Sequence, residues 1–250
     1  MQRLLSAFLT IIFVQISSLS YAGTPPESFA DLSEKLLPSV VNISSTQKVE
    51  EAPELDQLPE FPEGSPFQDF FEQFLDRRNT PFSGRPPASL GSGFVIDAEK
   101  GYIVTNNHVI ADADKVHVIL HNDEKLDATI IGRDEKTDIA VLQVKTDKPL
   151  TAVTFGQSDP MRVGDWVLAI GNPFGLGGTV TAGIISARQR NIHAGPYDDF
   201  IQTDASINKG NSGGPMLNSA GEVIGVVSSK VMFSDNIGYV VPINQYKIVS

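Results

Sequence analysis

The sequence predicts an all-β protein built as two small barrels or sandwiches, and two observations carry that expectation. From Ser89 onward, short runs rich in Val, Ile, Leu and Thr follow one another with turn residues between them, a spacing that suits antiparallel strands. The run from Lys145 to Thr154, with Pro149, interrupts the series and divides it into two groups. The sequence shows no internal repeat and no heptad pattern.

Composition narrows the classes. The chain has 250 residues, 41% hydrophobic and 20% charged, which suffices for a sizeable core. A formal net charge of -11 disfavours non-specific nucleic-acid binding. With no cysteine, the chain has no disulfide, no Cys–zinc site and no thiol nucleophile.

In chain order, Met1-Gln2-Arg3 gives a short basic start, Leu4 to Leu19 is mostly apolar, and Ser20-Tyr21-Ala22 offers small residues at both positions a signal peptidase needs. Residues 1–22 are therefore expected to be a secretory signal peptide, removed after Ala22. Export without disulfides fits a bacterial periplasm. Phe29, Leu32, Leu36 and Leu37 fall at helical spacing and stop at Pro38, a short amphipathic helix. Val40 to Ser45 is β-branched and reads as a strand; the sequon at Asn42-Ile43-Ser44 is read as chance. Lys48 to Ala88, rich in Pro, Glu and Phe, is too long for an ordinary connection and is expected to be a surface arm. The following strands are Gly91–Ile96, Tyr102–Thr105, Val116–Leu120, Leu126–Ile131 and Ile139–Val144, and, beyond the linker, Val163–Ile170, Thr179–Ser186, Phe200–Thr203, Met216–Leu217, Val223–Val227 and Ile237–Val241. The barrels are expected over about 39–144 and 155–243.

Gly210-Asn211-Ser212-Gly213-Gly214-Pro215 is a poor helix and a poor strand interior. Glycine tolerates positive φ and close backbone approach, so such a run suits an exposed hydroxyl beside N–H groups aimed at a developing oxyanion. It equally suits a plain turn. An acyl-transfer serine needs a base and a group that orients the base. His108, in Thr105-Asn106-Asn107-His108-Val109, lies just past a strand end where a side chain can face a cleft, though a structural histidine fits as well. His117 and His121 alternate along a strand on its solvent face, and no carboxylate set beside them suggests a metal. His193 sits in a Gly- and Pro-containing loop and reads as a surface residue. Asp138, in Thr137-Asp138-Ile139-Ala140-Val141-Leu142, leads into the most apolar strand, where an ionised carboxylate needs a donor. An imidazole N–H would serve; a turn cap is the alternative.

Together the three stretches, in the order His, Asp, Ser, resemble the HtrA (Deg, or protease Do) family of trypsin-like serine proteases. Supporting stretches are Leu90-Gly91-Ser92-Gly93-Phe94, Gly171-Asn172-Pro173-Phe174-Gly175 and Gln202-Thr203-Asp204-Ala205-Ser206-Ile207-Asn208, and the resemblance covers roughly Ser28 to Ser250. It implies a trypsin-like double β-barrel of two six-stranded barrels with short terminal helices and the site in the cleft between them. Ser212 would be the nucleophile, His108 the base and Asp138 its orienting partner, with the N–H groups of Gly210 and Ser212 as oxyanion hole. The implied activity is ATP-independent endopeptidase cleavage of misfolded or unfolded exported proteins, needing no cofactor and no metal. A holdase that binds unfolded chains with little proteolysis is the alternative, but a pure binder has no need of His108 and Asp138 together.

Further expectations follow from the resemblance. Ser206, Ile207 and Asn208 would line the pocket for the side chain at the cut, with Ser206 where a trypsin-like enzyme carries aspartate. Arg190, in the Ala187–Asp199 loop, would be a regulatory contact. Assembly would be a homotrimer, through the segment near Phe29, or a larger homo-oligomer, with proximity to a membrane surface and no nucleic-acid partner. Within the arm, Phe67, Phe70, Phe71, Phe74 and Leu75 share one helical face and would plug a neighbouring subunit's cleft. The family carries one or two PDZ domains after the protease domain; residues 23–250 read as protease domain with no PDZ domain.

Overall fold

The computed structural model describes residues 26–46, 89–111, 113–172, 177–192, 198–228 and 237–245. The expected signal peptide, the arm with its phenylalanines, and His193 lie outside these residues. Among the described residues, no helix is long and apolar enough to cross a membrane.

Helix α1 (Ala30–Leu36) runs into a 3-10 turn (Leu37–Ser39) with Pro38 near its start, where proline's missing N–H costs nothing. Six strands follow: β1 (Val40–Thr46), β2 (Ser89–Asp97), β3 (Tyr102–Asn106), β4 (Lys115–Ile119), β5 (Lys125–Asp134) and β6 (Ile139–Val144), with a one-turn helix α2 (Asn107–Ile110) after β3. They close into a barrel in the order β1-β2-β3-β6-β5-β4, entirely antiparallel. Beyond the linker come β7 (Thr154–Phe155), β8 (Trp166–Gly171), β9 (Thr179–Arg190), β10 (Phe200–Thr203), β11 (Pro215–Asn218), β12 (Glu222–Ser228) and β13 (Gly238–Pro242). Pairing of β11 with β12 closes β11-β8-β9-β10-β13-β12 into a second six-stranded barrel, and the short β7 attaches to β12 in parallel. The two-barrel expectation holds.

Most strand boundaries shift by one to three residues from the sequence reading, and two of the changes have a clear local cause. The strand expected from Val163 starts at Trp166, and Val163 is 62% exposed. Residues 162–165 form a turn instead, with Gly164 at φ 94 and the Asp165 carboxylate accepting the Arg162 N–H at 2.7 Å. Strand β9 continues to Arg190, four residues beyond the expected end, by pairing with β10 across two register shifts.

Alternation of side chains along the strands sorts the core into three clusters. Val41, Ile43, Val95, Ile103, Ala140 and Leu142 fill the first barrel, with Val109 and Ile110 of α2. Val167, Ala169, Ile185, Met216, Ile224 and Val240 fill the second. Their strand neighbours on the opposite face, Val40, Phe94, Val104, Ile139, Leu168, Ile170 and Val226, meet between the barrels with Leu36. Strands β6 and β8 are thus apolar on both faces near their starts, which is why their sequences run almost unbroken in hydrophobic residues. Phe29 caps this layer, its ring 6.0 Å from that of Trp166. Asn42 of the sequon is buried in β1, its Nδ2 donating to the carbonyls of Gly91 and Asn172.

Candidate active site

Each barrel delivers part of the site from a strand end. His108 lies on α2, immediately after β3. That helical turn is seated by the Ser45 hydroxyl, which donates to the Val109 carbonyl at 3.0 Å, and by the burial of Val109 and Ile110 in the first barrel. Asp138 ends the turn before β6 with φ 57, in the left-handed region. Aspartate enters that region more readily than most residues, at a cost of order 1–3 kcal/mol that its surroundings must offset. Here two donors hold its carbonyl: the Asn107 N–H at 3.0 Å and Asn106 Nδ2 at 3.0 Å.

This backbone turn aims the Asp138 carboxylate at His108. Oδ1 accepts the His108 backbone N–H at 2.9 Å, and Oδ2 lies 2.7 Å from His108 Nδ1. An ionised carboxylate only accepts, so Nδ1 carries the proton and Nε2 presents its lone pair. Ser212 Oγ lies 2.9 Å from Nε2. The Ser212 residue is 1% exposed, whereas the His108 side chain is 27% exposed, so the imidazole forms the solvent edge of the constellation.

Ser212 is held by the loop around it. A 3-10 turn (Lys209–Asn211), with the Asn211 N–H on the Asn208 carbonyl at 2.9 Å, leads into the serine. Gly213 follows at φ 84, and any side chain there would run into the Ser92 carbonyl and the Thr105 hydroxyl. Ser92 of β2 stitches this loop to the first barrel. Its N–H donates to the Ser212 carbonyl at 2.7 Å, its hydroxyl donates to the Gly210 carbonyl at 2.6 Å, and the same oxygen accepts the Asn172 N–H at 2.8 Å.

The other expected residues are nearby but differently engaged. Ser206 and Asn208 are exposed, and the Ser206 carbonyl accepts the Thr181 hydroxyl and Asn211 Nδ2. Ile207 packs against the second-barrel core at Gly238, where a Cβ would collide with it. Asp204 turns its carboxylate to the Ile184 N–H at 2.7 Å. Arg190 ends β9 opposite Phe200, its Nε donating to Gln202 Oε1 at 3.0 Å. His117, on β4, is 2.8 Å from the exposed Asp127 of the paired strand, and His121 is exposed in the next turn. Among the described residues no cluster of three or more His, Cys, Asp or Glu has the disposition of a metal site.

Three residues at the site are given no role by the sequence reading. Ser228, at the buried end of β12, donates its hydroxyl to Asp138 Oδ2 at 3.2 Å. Asn106 accepts the Ser212 hydroxyl on Oδ1 at 2.9 Å. Ser92 makes the contacts above. The signal for Ser228 is a serine closing an otherwise apolar strand, Val223-Ile224-Gly225-Val226-Val227.

Chemically, a hydroxyl facing an imidazole lone pair whose far nitrogen is held by a buried carboxylate suits proton removal from the hydroxyl. Comparisons place the chain among serine peptidases. A family model for the trypsin-like peptidase domain matches residues 91–226. A probable periplasmic serine endoprotease, DegP-like, of Brucella melitensis is 49% identical over 230 residues, covering 81% of this chain and 44% of that protein. Its counterpart in Rickettsia conorii is 45% identical over 250 residues, covering 94% of this chain and 48% of that protein. The chain thus spans about half the length of the curated relatives it matches. Among solved structures, the HtrA-type protease AlgW with decapeptide superposes with a TM-score of 0.70 at 39% identity, covering 89% of this chain and 66% of that one.

Proposed function

Because this chain belongs to the trypsin-like peptidase family, as an HtrA-type serine endopeptidase domain, we propose that it cleaves peptide bonds of unfolded or misfolded exported proteins through an acyl-enzyme on Ser212. The observation that carries this reading is the continuous relay from Asp138 Oδ2 to His108 Nδ1 at 2.7 Å and from His108 Nε2 to Ser212 Oγ at 2.9 Å.

Ser212 Oγ attacks the scissile carbonyl carbon as its proton passes to His108 Nε2. The tetrahedral intermediate collapses, the C–N bond breaks, and Nε2 returns the proton to the departing amine. Water then attacks the acyl carbon as His108 Nε2 takes its proton; the bond from that carbon to Oγ breaks, Nε2 returns the proton to Ser212 Oγ, and the product leaves with a new carboxyl terminus. Asp138 keeps the imidazole in the Nδ1–H tautomer and stabilises the cation formed in each half-reaction. The oxyanion would be received by the Gly210 and Ser212 N–H groups.

The compartment is the periplasm, as the names of the curated relatives state for those proteins. Oligomeric assembly through the segment around Phe29 belongs to the same proposal; within the chain that ring already packs on Trp166. The test is digestion of a denatured protein by wild type and Ser212→Ala, followed by mass spectrometry of the products. Ser212→Ala is expected to lose cleavage by a factor on the order of 10⁴ or more while keeping its melting transition. Robust cleavage by the purified variant would overturn the assignment.

A further inference from the structure

Asn106 closes β3 two residues before His108, with no exposed surface, and both ends of its carboxamide are used. The Ser212 hydroxyl donates to Oδ1 at 2.9 Å, and Nδ2 donates to the main-chain carbonyl of Asp138 at 3.0 Å. A carbonyl can only accept, so the amide nitrogen must face Asp138 and the amide oxygen must face Ser212. The orientation is therefore set without any involvement of the imidazole.

Ser212 Oγ lies at the same distance, 2.9 Å, from Asn106 Oδ1 and from His108 Nε2. A hydroxyl has one proton, and these are two acceptors. With the proton on Oδ1 the oxygen is already within reach of the base, and rotation about the Cβ–Oγ bond moves the proton to Nε2 while the oxygen stays where it is. The same side chain steadies the Asp138 backbone at φ 57.

We infer that Asn106 is a positioning residue for peptide-bond cleavage: it holds the nucleophilic oxygen in attacking position before the base engages it, and ties that oxygen to the backbone of the orienting acid on the other barrel. The inference rests on the reading of Ser212 as nucleophile. A residue serving only as a strut for Asp138 would make no use of the Ser212 hydroxyl, and that difference is measurable.

The experiment uses the full chain, with Asn106→Leu, similar in size without polar atoms, and Asn106→Ala, which is smaller and fits where leucine does not. Peptide kinetics, the rate of labelling by a fluorophosphonate, the labelled residue by peptide mass, and melting temperatures with and without S212A are measured. Both variants are expected to lower kcat and the labelling rate together by about tenfold to a hundredfold, the scale of a misplaced reacting group, with KM nearly constant. The melting-temperature loss on replacing Asn106 is expected to be smaller in the S212A background, where Oδ1 has already lost its donor. Equal losses in both backgrounds, or kcat and labelling near wild type in a folded variant, would overturn the inference. Failure of the nucleophile reading has a separate signature: label on wild type away from Ser212, or cleavage by S212A.

Discussion

The Ser228 hydroxyl and the His108 Nδ1 proton meet on one oxygen, Asp138 Oδ2, at 3.2 and 2.7 Å. The other oxygen takes the His108 backbone N–H. The carboxylate is therefore gripped from the second barrel as well as the first, which fixes its plane relative to the imidazole.

Ser228→Ala removes that grip. A hydrogen bond to a charged group is worth about 1.5–3 kcal/mol, and each 1.4 kcal/mol in a barrier is about tenfold in rate. The variant is expected to lose about tenfold or more in kcat and to melt at a lower temperature than wild type. Wild-type kcat from the purified variant would show that the bond has no part in turnover.

Ser92→Ala leaves the buried Gly210 carbonyl and Asn172 N–H without their side-chain partner. Each orphaned group costs about 1–3 kcal/mol. The urea midpoint is expected to fall, and turnover is expected to fall further than the population of folded protein accounts for, because the nucleophile loop is released from β2. Loss of stability with unchanged kcat per folded molecule would confine Ser92 to architecture.

Cleavage is expected after small aliphatic residues, Val or Ala, rather than after Lys or Arg. Ser206 brings no charge, Ile207 is apolar, and the Asp204 carboxylate is committed to the Ile184 N–H. A buried ammonium without a counter-charge costs several kcal/mol. Sequencing the cut sites in a denatured substrate decides the matter: a majority after Lys or Arg would refute the pocket.

Asp97 closes β2 by accepting the Lys100 and Glu99 backbone N–H groups, and these contacts, the Lys100 N–H first, hold its carboxyl below the usual carboxylate range. A lowered pKa in the folded state means stability fully present above the unfolded carboxylate's pKa and lost as pH falls through the folded one. Asp97→Asn is expected to flatten that acid limb of the melting curve while leaving activity at neutral pH unchanged. Superimposable acid limbs for the two proteins would refute this.

The barrels were legible because alternation and turn residues act locally: Val116, Val118 and Leu120 point inward as their spacing demands. The start of β8 was not legible, since Val163 has strand character and only the Gly164 turn, closed by Asp165, overrides it. Ser212, His108 and Asp138 stood out because each sits in an unusual local setting, a glycine run, a strand end and a charge against an apolar strand. Asn106 sits in an ordinary setting, and Ser228 shows only as a polar residue closing an apolar strand. Their roles come from partners 106 and 90 residues away, which composition and periodicity do not report.

His108 and Asp138 belong to the first barrel, Ser212 and Ser228 to the second, and the layer containing Phe94 and Ile170 joins them. On the roles proposed above, a chain folding from its amino end acquires a base with nothing to activate, and the later half, alone, holds a serine no more reactive than any other. Hydrolytic power therefore arrives only when the halves dock. On the proposed reading, a protease for unfolded chains begins as one itself, and hydrolysis waits until its two halves have joined.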